Sequence, residues 1–357
     1  MNIRGREISI AHPPYIIAEI GVNHDGDASR AVALTRLAAQ AGADAVKFQL
    51  FEADRLMSRA AKLAAYQKAA GERDPIEMLR RLELPITALA ECAAVARGLG
   101  IHAIVSVFSV ELVEPSRVAT WDAYKAASPD IINRPLLEAM AATGLPLIVS
   151  TGASTPDEIA RAATWLAPWR ERIAFLQCVS AYPTPPELAA IDGIAGVRAA
   201  AGEPVGYSDH TSDIDTGAAA VRAGACILEK HFTDSRTRQG PDHAASLEPD
   251  AFARYAHLAR EAAKAAPRTV PGREHASPAR DSKRVFDIEQ DVRRVSRQSL
   301  VATRDLPAGH TLTAADLTIK RPGTGLAPFE LATVVGQLLR APAQADMPIT
   351  REHIPMK

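Results

Sequence analysis

The chain repeats one pattern eight times: a short apolar run of strand length is followed by a segment with helical character. The runs cover residues 15–21, 44–50, 102–108, 123–128, 145–152, 173–180, 205–210 and 226–232. Each is almost continuously apolar, which is typical of parallel strands buried on both faces. Eight such units within about 265 residues predict a closed (β/α)8 barrel of the TIM type. A doubly wound open sheet is the alternative, but no GxGxxG motif follows the first run.

The segments between the runs carry signals for the start of a helix. Thr155 can cap a helix that begins with Pro156, and Glu158 completes a capping box three residues after the cap. Glycines stand where several helices should end, at Gly42, Gly100, Gly144, Gly202 and Gly224. These signals support alternation of strands and helices.

Composition excludes several classes of function. The chain has 357 residues, of which 47% are hydrophobic and 23% charged, and this is enough for two globular domains. Its net charge of −1 predicts neither nucleic-acid binding nor attraction to an anionic membrane. No apolar run reaches about 18 residues and the amino terminus has no signal-peptide pattern, so we expect a cytoplasmic protein without a membrane span. Cys92, Cys178 and Cys226 form no CxxC pair, and we expect buried thiols.

The repeated pattern ends near residue 267, which divides the chain. Residues 1–266 are assigned to the barrel, the catalytic domain. Residues 267–292 are rich in proline and charge without clear periodicity, which is typical of a linker. Within residues 293–357, the segments 300–317 and 338–354 share one order of apolar, basic, threonine and acidic positions. They predict a small β-rich domain.

Polar and ionisable side chains stand at the end of nearly every apolar run. They are Glu19, Asn23, Lys47, Gln49, Ser106, Lys125, Ser128, Ser150, Thr151, Ser180, Tyr182, Ser208, Asp209, His210, Glu229, Lys230 and His231. Any one of them alone is more often structural than functional. Because TIM barrels build their active sites at the carboxyl ends of the strands, their common position favours one functional cavity.

The chemistry of these residues falls into two groups. Lysine ammonium groups and serine hydroxyls suit a phosphate and a carboxylate, and they come from Lys47, Lys125, Lys230, Ser106, Ser128, Ser150 and Ser208. His210 and His231 follow the last two runs, with Glu19 and Glu229 as nearby carboxylates. This second group suits a divalent transition metal with open coordination positions. We therefore expect a phosphorylated anionic substrate and a metal-activated partner.

Nine motifs in order carry a family resemblance. They are "IIAEIGVNHDGD" (16–27), "AGADAVKFQLF" (41–51), "YKAAS" (124–128), "STGAS" (150–154), "QCVSAYPTP" (177–185), "GYSDHT" (206–211), "EKHFT" (229–233), "GPDHAASLEP" (240–249) and "KRPGTG" (320–325). Together they resemble the sialic acid synthase family, the nonulosonic acid synthases. These enzymes condense phosphoenolpyruvate with N-acetylmannosamine or a related 2-acetamido sugar. The carboxyl-terminal part resembles the family's SAF domain, which is antifreeze-like and of the β-clip type.

The resemblance implies roles for the matching residues. His210 and His231 would bind a divalent metal, usually Mn²⁺ with Mg²⁺ or Co²⁺ as alternatives, and Glu19 and Glu229 would be catalytic carboxylates. Phosphoenolpyruvate would be held by Lys47, Lys125, Ser106, Ser128, Ser150, Ser180 and Ser208. The open-chain sugar and the metal-bound water would be held or activated by Glu19, Gln49, Tyr182 and Asp242, while Arg321 would contact the sugar's N-acetyl end.

The resemblance also implies a homodimer with exchanged tails, in which Arg321 serves the partner's site. Ser180 stands where some members have asparagine, and Ala127 and Pro129 stand in a loop that is usually richer in glycine. These differences leave the sugar open among N-acetylmannosamine, a 2,4-diacetamido-trideoxyhexose and a spore-coat or surface-polysaccharide precursor. The alternatives are a phosphoenolpyruvate-dependent synthase for another aldose and a non-catalytic carbohydrate-binding relative. A sugar phosphate would call for an extra basic cluster, which the sequence does not contain.

Overall fold

The computed structural model describes residues 1–265 and 282–354. Its strands are β1 (Asn2–Ile3), β2 (Arg6–Glu7), β3 (Tyr15–Gly21), β4 (Ala45–Leu50), β5 (His102–Val107), β6 (Ala123–Ala126), β7 (Leu147–Ser150), β8 (Ile173–Cys178), β9 (Val205–Asp209), β10 (Ile227–His231), β11 (Ser299–Ala302) and β12 (Leu317–Lys320). Strands β3 to β10 are parallel and close into a barrel, with β10 paired to β3. The predicted (β/α)8 barrel is therefore confirmed.

Helices surround the barrel and extend its loops. They are α1 (Ala28–Gln40), α2 (Ala53–Leu56), α3 (Ala65–Ala69), α4 (Pro75–Leu82), α5 (Ile86–Gly98), α6 (Val113–Ser116), α7 (Arg134–Ala142), α8 (Pro156–Trp165), α9 (Gly193–Ala201), α10 (Thr216–Arg222), α11 (Pro249–Lys264), α12 (Gln290–Ser296) and α13 (Leu331–Val334). Short 3-10 turns span Val110–Leu112, Ser128–Ile132, Ala167–Arg172, Pro186–Leu188, His243–Ala245, Asp287–Glu289, Ala314–Asp316 and Pro328–Glu330. Across the described part of the chain, no helix is both long and apolar enough to cross a bilayer.

Two apolar layers hold the barrel together. Successive residues of a strand point to opposite faces, so Ile16 packs outward against the helices while Ile17 packs inward. The β1–β2 hairpin adds Ile3 to the inner layer, which places it at the amino-terminal end of the barrel. The inner layer stops below the carboxyl ends of the strands, where positions of the same parity become polar, as in Ile17 and Glu19. The alternation thus directs the polar strand ends into the barrel mouth.

The second domain is small and built from irregular strands. β11 and β12 pair in antiparallel fashion, and single bridges join Val301 to Pro348, Leu306 to Ala343 and Thr311 to Leu338. Leucines such as Leu300 and Leu312 form a separate core in this domain. The predicted fold class, a barrel followed by a small β-rich domain, is therefore confirmed.

The segment between the domains lies partly outside the described residues. Residues 267–281 of the predicted linker and residues 355–357 of the predicted second domain belong to that undescribed part. From Ser282 onward the chain packs on the barrel mouth, where Lys283 Nζ donates a hydrogen bond to Cys178 O at 3.1 Å. The segment 282–297 is called the strap below.

The strap is tied to the barrel by an ion-pair cluster around Glu158. Arg293 Nη2 and Arg297 Nη1 lie 2.8 and 2.6 Å from Glu158 Oε1, and the same carboxylate completes the predicted capping box of α8 with Thr155. Burial alone would raise the pKa of Glu158, but hydrogen bonds from Arg297 and Arg293 lower it to about 2. The ionised carboxylate therefore favours the docked strap.

We expect this cluster to make stability depend on acid. Because the folded-state pKa of Glu158 lies below the unfolded value of about 4.3, its contribution is complete above that pH and is lost as pH falls towards 2. After allowance for solvent screening, the contribution is on the order of 2 kcal/mol. Urea unfolding from pH 6 to 3 should lose less stability in Glu158→Gln than in the wild type. Parallel pH profiles for the two proteins would contradict this.

Candidate active site

One pocket of about 890 Å³ lies at the carboxyl ends of the barrel strands, against the second domain. All fifteen residues to which the family resemblance assigns a role line it: Glu19, Lys47, Gln49, Ser106, Lys125, Ser128, Ser150, Ser180, Tyr182, Ser208, His210, Glu229, His231, Asp242 and Arg321. The residues come from every barrel strand or the loop after it, and from the second domain. Closure of the barrel therefore brings together side chains that are far apart in sequence.

Four residues that the sequence placed on this rim do not line the pocket: Asn23, Thr151, Asp209 and Lys230. The prediction that Lys230 helps to hold a phosphate is therefore wrong. Glu229 and His231 point into the barrel, so the intervening Lys230 points outward, where its Nζ lies 3.0 Å from Asp209 Oδ2. Both side chains are fully buried between the barrel and its helices.

A carboxylate–lysine pair occupies one wall of the pocket. Lys47 Nζ lies 2.5 Å from Glu19 Oε2 and donates to Ser106 Oγ at 3.2 Å. Gln49 Nε2 donates to Glu19 Oε1 at 2.8 Å. A bulge at the end of β3 and the positive φ of Gly21 allow this arrangement, because a Cβ there would stand 2.9 Å from Glu19 Oε1. Glu19 is therefore held firmly at the pocket wall.

A second lysine, Lys125, lies among three serine hydroxyls, those of Ser128, Ser150 and Ser180. We call these four residues the serine cradle. Lys125 Nζ donates to Ser150 Oγ at 2.6 Å, and Gly152 N donates to Ser128 Oγ at 2.9 Å. A Cβ on Gly152 would stand 2.2 Å from Ser180 Oγ and 2.8 Å from Ser128 Oγ. Only glycine leaves room for both hydroxyls so close to the backbone at this position.

Glu229 links the two lysines electrostatically. Its carboxylate lies 3.9 Å from Lys47 Nζ and 3.8 Å from Lys125 Nζ, and it accepts a hydrogen bond from Ser208 Oγ at 2.9 Å. Burial alone would raise the pKa of Glu229, but Lys125 and Lys47 lower it. Burial raises the pKa of Glu19 despite the charge of Lys47. The two carboxyl groups thus differ in basicity, with Glu19 the stronger base.

The two histidines face each other with ring centroids 5.4 Å apart. His210 Nδ1 donates a hydrogen bond to Val179 O at 2.7 Å, which leaves Nε2 to bind a metal when the ring is neutral. Burial alone would lower the pKa of His210, but Cys178, the hydrogen bond to Val179 and Glu229 raise it to about 9, so binding of a metal would displace a proton from this ring. His231 Nδ1 is buried and has no hydrogen-bond partner among residues 1–265 and 282–354, and Asp242 Oδ2 is 3.9 Å away. Burial and the neighbouring positive charges lower the pKa of His231 well below its usual value, which favours the neutral imidazole that a metal requires.

This donor set fits a divalent cation with two imidazole ligands. The described residues contain no cluster of three or more His, Cys, Asp or Glu side chains that could hold a metal ion. Two protein ligands would leave several coordination positions for water and substrate, as an open catalytic site requires. The buried nitrogen of His231 without a partner is the observation that supports the fit.

The loop of residues 51–85 adds a wall that the sequence analysis missed. The ring centroids of Tyr66 and Tyr182 are 4.9 Å apart, and those of Tyr182 and His210 are 4.2 Å apart. Apolar side chains extend this wall, contributed by Val22, Met78, Leu79, Leu82 and Phe108. The length of the loop, which separates β4 from α5, is the sequence signal that could have indicated its role, because TIM barrels build their sites from such loops.

Arg321 reaches the pocket from the second domain. Its backbone is paired with the loop 51–85, since Arg321 N donates to Leu56 O at 2.8 Å and Ser58 N donates to Arg321 O at 3.0 Å. Its guanidinium carbon lies 5.6 Å from the centre of the Phe108 ring. These contacts lie within the single chain that the structure describes.

Asp130, which the sequence analysis did not single out, does not line the pocket but is buried where the charges of Arg321 and Lys125 act on it. Both of its carboxylate oxygens are buried without a hydrogen-bond partner in the part of the chain that the structure describes. Burial raises its pKa to about 7, although the charges of Arg321 and Lys125 act in the opposite direction. Its place two residues after Ser128, next to a motif already singled out, is the signal that could have found it.

Comparison with known proteins agrees with the fold. The model of the NeuB family matches residues 34–270, and the model of the SAF domain matches residues 297–355. The N,N'-diacetyllegionaminic acid synthase of Legionella pneumophila is 35% identical over 95% of this chain and 94% of its own length. The N-acetylneuraminate-9-phosphate synthase of Mus musculus is 32% identical over 98% of this chain and 95% of its own.

A solved structure extends the likeness to the whole molecule. The spore coat polysaccharide biosynthesis protein spsE of Bacillus subtilis superposes with a TM-score of 0.83 at 27% identity, covering 100% of this chain and 99% of that one. Family model, relatives and architecture agree over both domains. The chain therefore belongs to the NeuB family of synthases and carries a carboxyl-terminal SAF domain.

Proposed function

We propose that the chain is a nonulosonic acid synthase. It condenses phosphoenolpyruvate with an open-chain 2-acetamido sugar and water, and it releases a nine-carbon keto acid and phosphate. The observation that carries the proposal is that one pocket brings together the serine cradle, Lys47, two carboxylates and a pair of imidazoles. The chain belongs to the NeuB family, and relatives such as the Legionella protein are named as synthases, which supports the same proposal.

The serine cradle and Lys47 are the groups that hold phosphoenolpyruvate. Ammonium groups and hydroxyls are strong donors to phosphate and carboxylate oxygens, and here they are fixed by Glu229 and by one another. A pocket whose donors are oriented before binding also stabilises the charge of the departing phosphate. These residues therefore orient the enol carbon and accommodate the leaving group.

The imidazole pair would hold a divalent cation, most commonly Mn²⁺ in the family resemblance. When bound, such a cation polarises the sugar aldehyde and makes its carbon a better electrophile. Glu19 would take a proton from water, because burial raises its pKa and makes it a stronger base than Glu229. Tyr182 and Asp242 complete the wall around the aldehyde end.

The reaction forms one carbon–carbon bond and replaces the carbon–oxygen bond to phosphate by a carbon–oxygen bond to water. The methylene carbon of phosphoenolpyruvate bonds to the aldehyde carbon, whose oxygen becomes a hydroxyl group. Water adds to the adjacent carbon, which carries the phosphate, and phosphate then leaves from that carbon to give the ketone. Glu19 accepts a proton from the water. Of the two protons that the water supplies, one ends on the new hydroxyl group and the other on the phosphate, whose charge the lysines neutralise.

The apolar wall favours a deoxygenated sugar. Val22, Met78 and Leu79 offer a methyl group a contact that a hydroxymethyl or phosphate group would not gain. No cation other than Lys47, Lys125, Arg321 and the two histidines lines the pocket within residues 1–265 and 282–354. We therefore propose a 2,4-diacetamido-trideoxyhexose as the acceptor, as the name of the Legionella relative also suggests, with N-acetylmannosamine as the second choice.

Phosphate release over a panel of sugars tests this function. Each assay would contain phosphoenolpyruvate, Mn²⁺ and one sugar, with reactions lacking either substrate as controls and the product mass measured. The 2,4-diacetamido-trideoxyhexose should give the highest kcat/KM, followed by N-acetylmannosamine and then its 6-phosphate. Absence of sugar-dependent phosphate release across the panel would contradict the synthase reading.

We further propose that the enzyme is a dimer with exchanged second domains. In the single chain that the structure describes, Arg321 lies over its own barrel, so exchange would require the same contacts to form between two chains. Co-expression of Arg321→Ala and His231→Ala distinguishes the two connectivities: exchange gives the mixed dimer one intact site, so about a quarter of wild-type activity returns with random pairing. No recovery from demonstrated mixed dimers, with each variant inactive alone, would assign Arg321 to its own barrel.

A further inference from the structure

A carboxylate from the strap is buried directly behind the serine cradle. Glu289 is fully buried, and its Oε1 accepts hydrogen bonds from Ala153 N at 2.6 Å and from Ser180 N at 2.7 Å. Its Oε2 accepts a third hydrogen bond, from Phe286 N at 2.9 Å. One side chain thus joins the loop after β7, the end of β8 and the strap itself.

The strap holds both polar groups of the Ala153 backbone. The N–H of Ala153 donates to Glu289, and its carbonyl oxygen accepts hydrogen bonds from Arg293 and, at 3.1 Å, from Arg297. Ala153 also has a φ of 50°, a left-handed conformation that residues other than glycine rarely adopt. External contacts must hold such a residue in place, and here the strap supplies them.

The backbone around Ala153 cannot move without displacing residues of the serine cradle. Gly152, adjacent to Ala153, donates to Ser128 Oγ and leaves no room for even a Cβ beside Ser180 Oγ. The second amide held by Glu289 is that of Ser180 itself. Displacement of either amide would therefore shift the hydroxyls of Ser128 or Ser180.

We propose that Glu289 is a positioning residue that sets the geometry of the serine cradle and so determines affinity for the phosphorylated substrate. It acts through the backbone of Ala153 and Ser180 and touches no substrate atom. Hydrogen bonds to an ionised acceptor are stronger than neutral ones, which suits a contact that must align two loops. Since Glu289 lies in the strap, the cradle is complete only when the strap is docked. The identity of the substrate rests on the proposed function.

Three variants test the role of Glu289. Glu289→Ala removes both amide contacts, Glu289→Gln keeps an acceptor oxygen of the same reach without the charge, and Asp287→Ala alters an exposed carboxylate in the same turn. We expect Glu289→Ala to raise the KM for phosphoenolpyruvate about tenfold to a hundredfold. The KM for the sugar should stay within about twofold, Glu289→Gln should be intermediate, and Asp287→Ala should match the wild type.

Amide hydrogen exchange separates this inference from the proposed function. Peptides covering 147–155 and 176–184 should exchange faster in Glu289→Ala than in the wild type and Asp287→Ala, without any turnover being needed. If the wild type shows no phosphoenolpyruvate chemistry but these peptides do respond, the proposed reaction fails while the alignment of the two loops stands. Unchanged exchange, or equal increases in both KM values in Glu289→Ala and Glu289→Gln, would overturn the positioning role. Glu289→Gln retains side-chain volume and an acceptor, so it provides the test even if Glu289→Ala does not fold.

Discussion

Replacing His231 by alanine is expected to reduce phosphate release by at least about a thousandfold while leaving the fold intact. The imidazole has a buried nitrogen with no hydrogen-bond partner in the described structure, so its removal breaks no hydrogen bond of that atom. Among the described residues that line the pocket, its loss would leave His210 as the sole imidazole, and one imidazole is too few for the proposed cation. The same variant should therefore lose Mn²⁺ binding in titration calorimetry, whereas thermal unfolding should change little.

His257→Ala is the matched control for this experiment. His257 is exposed on α11 and does not line the pocket, so its removal tests the effect of losing an imidazole as such. Chelator-treated wild type should be inactive and should recover when Mn²⁺ is added. Full activity of metal-free wild type, or of His231→Ala, would refute a role for the imidazole pair in metal binding.

Replacing Lys230 by methionine is expected to destabilise the fold by about 3–5 kcal/mol. The Lys230 ammonium lies 3.0 Å from Asp209 Oδ2 and donates to Thr211 O at 2.6 Å, and both charged side chains are wholly buried. Methionine fills the space of the lysine stem, but it leaves the Asp209 carboxylate without its counter-charge. Removing one partner of a buried ion pair is costly because the other charge stays in a low-dielectric environment.

Urea unfolding of three variants checks this expectation. Lys264→Met removes an exposed lysine from α11 and should change stability by less than about 0.5 kcal/mol. The double variant Lys230→Met/Asp209→Asn removes both charges, so it should recover part of the loss while Asn keeps an acceptor for Thr211. A loss in Lys230→Met no larger than that in Lys264→Met would contradict a structural role for the pair.

The difference between Lys230 and its neighbours shows how far strand ends can be interpreted from sequence. Position at the end of a run correctly placed Glu229 and His231 in the pocket, yet the same criterion also selected Lys230. The alternation of a strand separates them, since residues two apart share a face and the one between them does not. Applied together with position, the period of two would have removed Lys230 from the predicted site.

Local patterns in the sequence determined the barrel and most of its rim. Strand and helix periodicity and the capping box at Thr155 depend on residues close together in the chain, and closure of eight parallel strands then brings their polar ends to one mouth. Tertiary structure alone decided the rest of the site. Tyr66 lines the pocket because a long loop packs on the barrel, and Glu289 lies behind the serine cradle because the strap packs there. The buried carboxylate oxygens of Asp130 have no hydrogen-bond partner in the described structure, which the sequence could not indicate. Such contacts depend on side chains far apart in sequence, and no pattern among near neighbours encodes them.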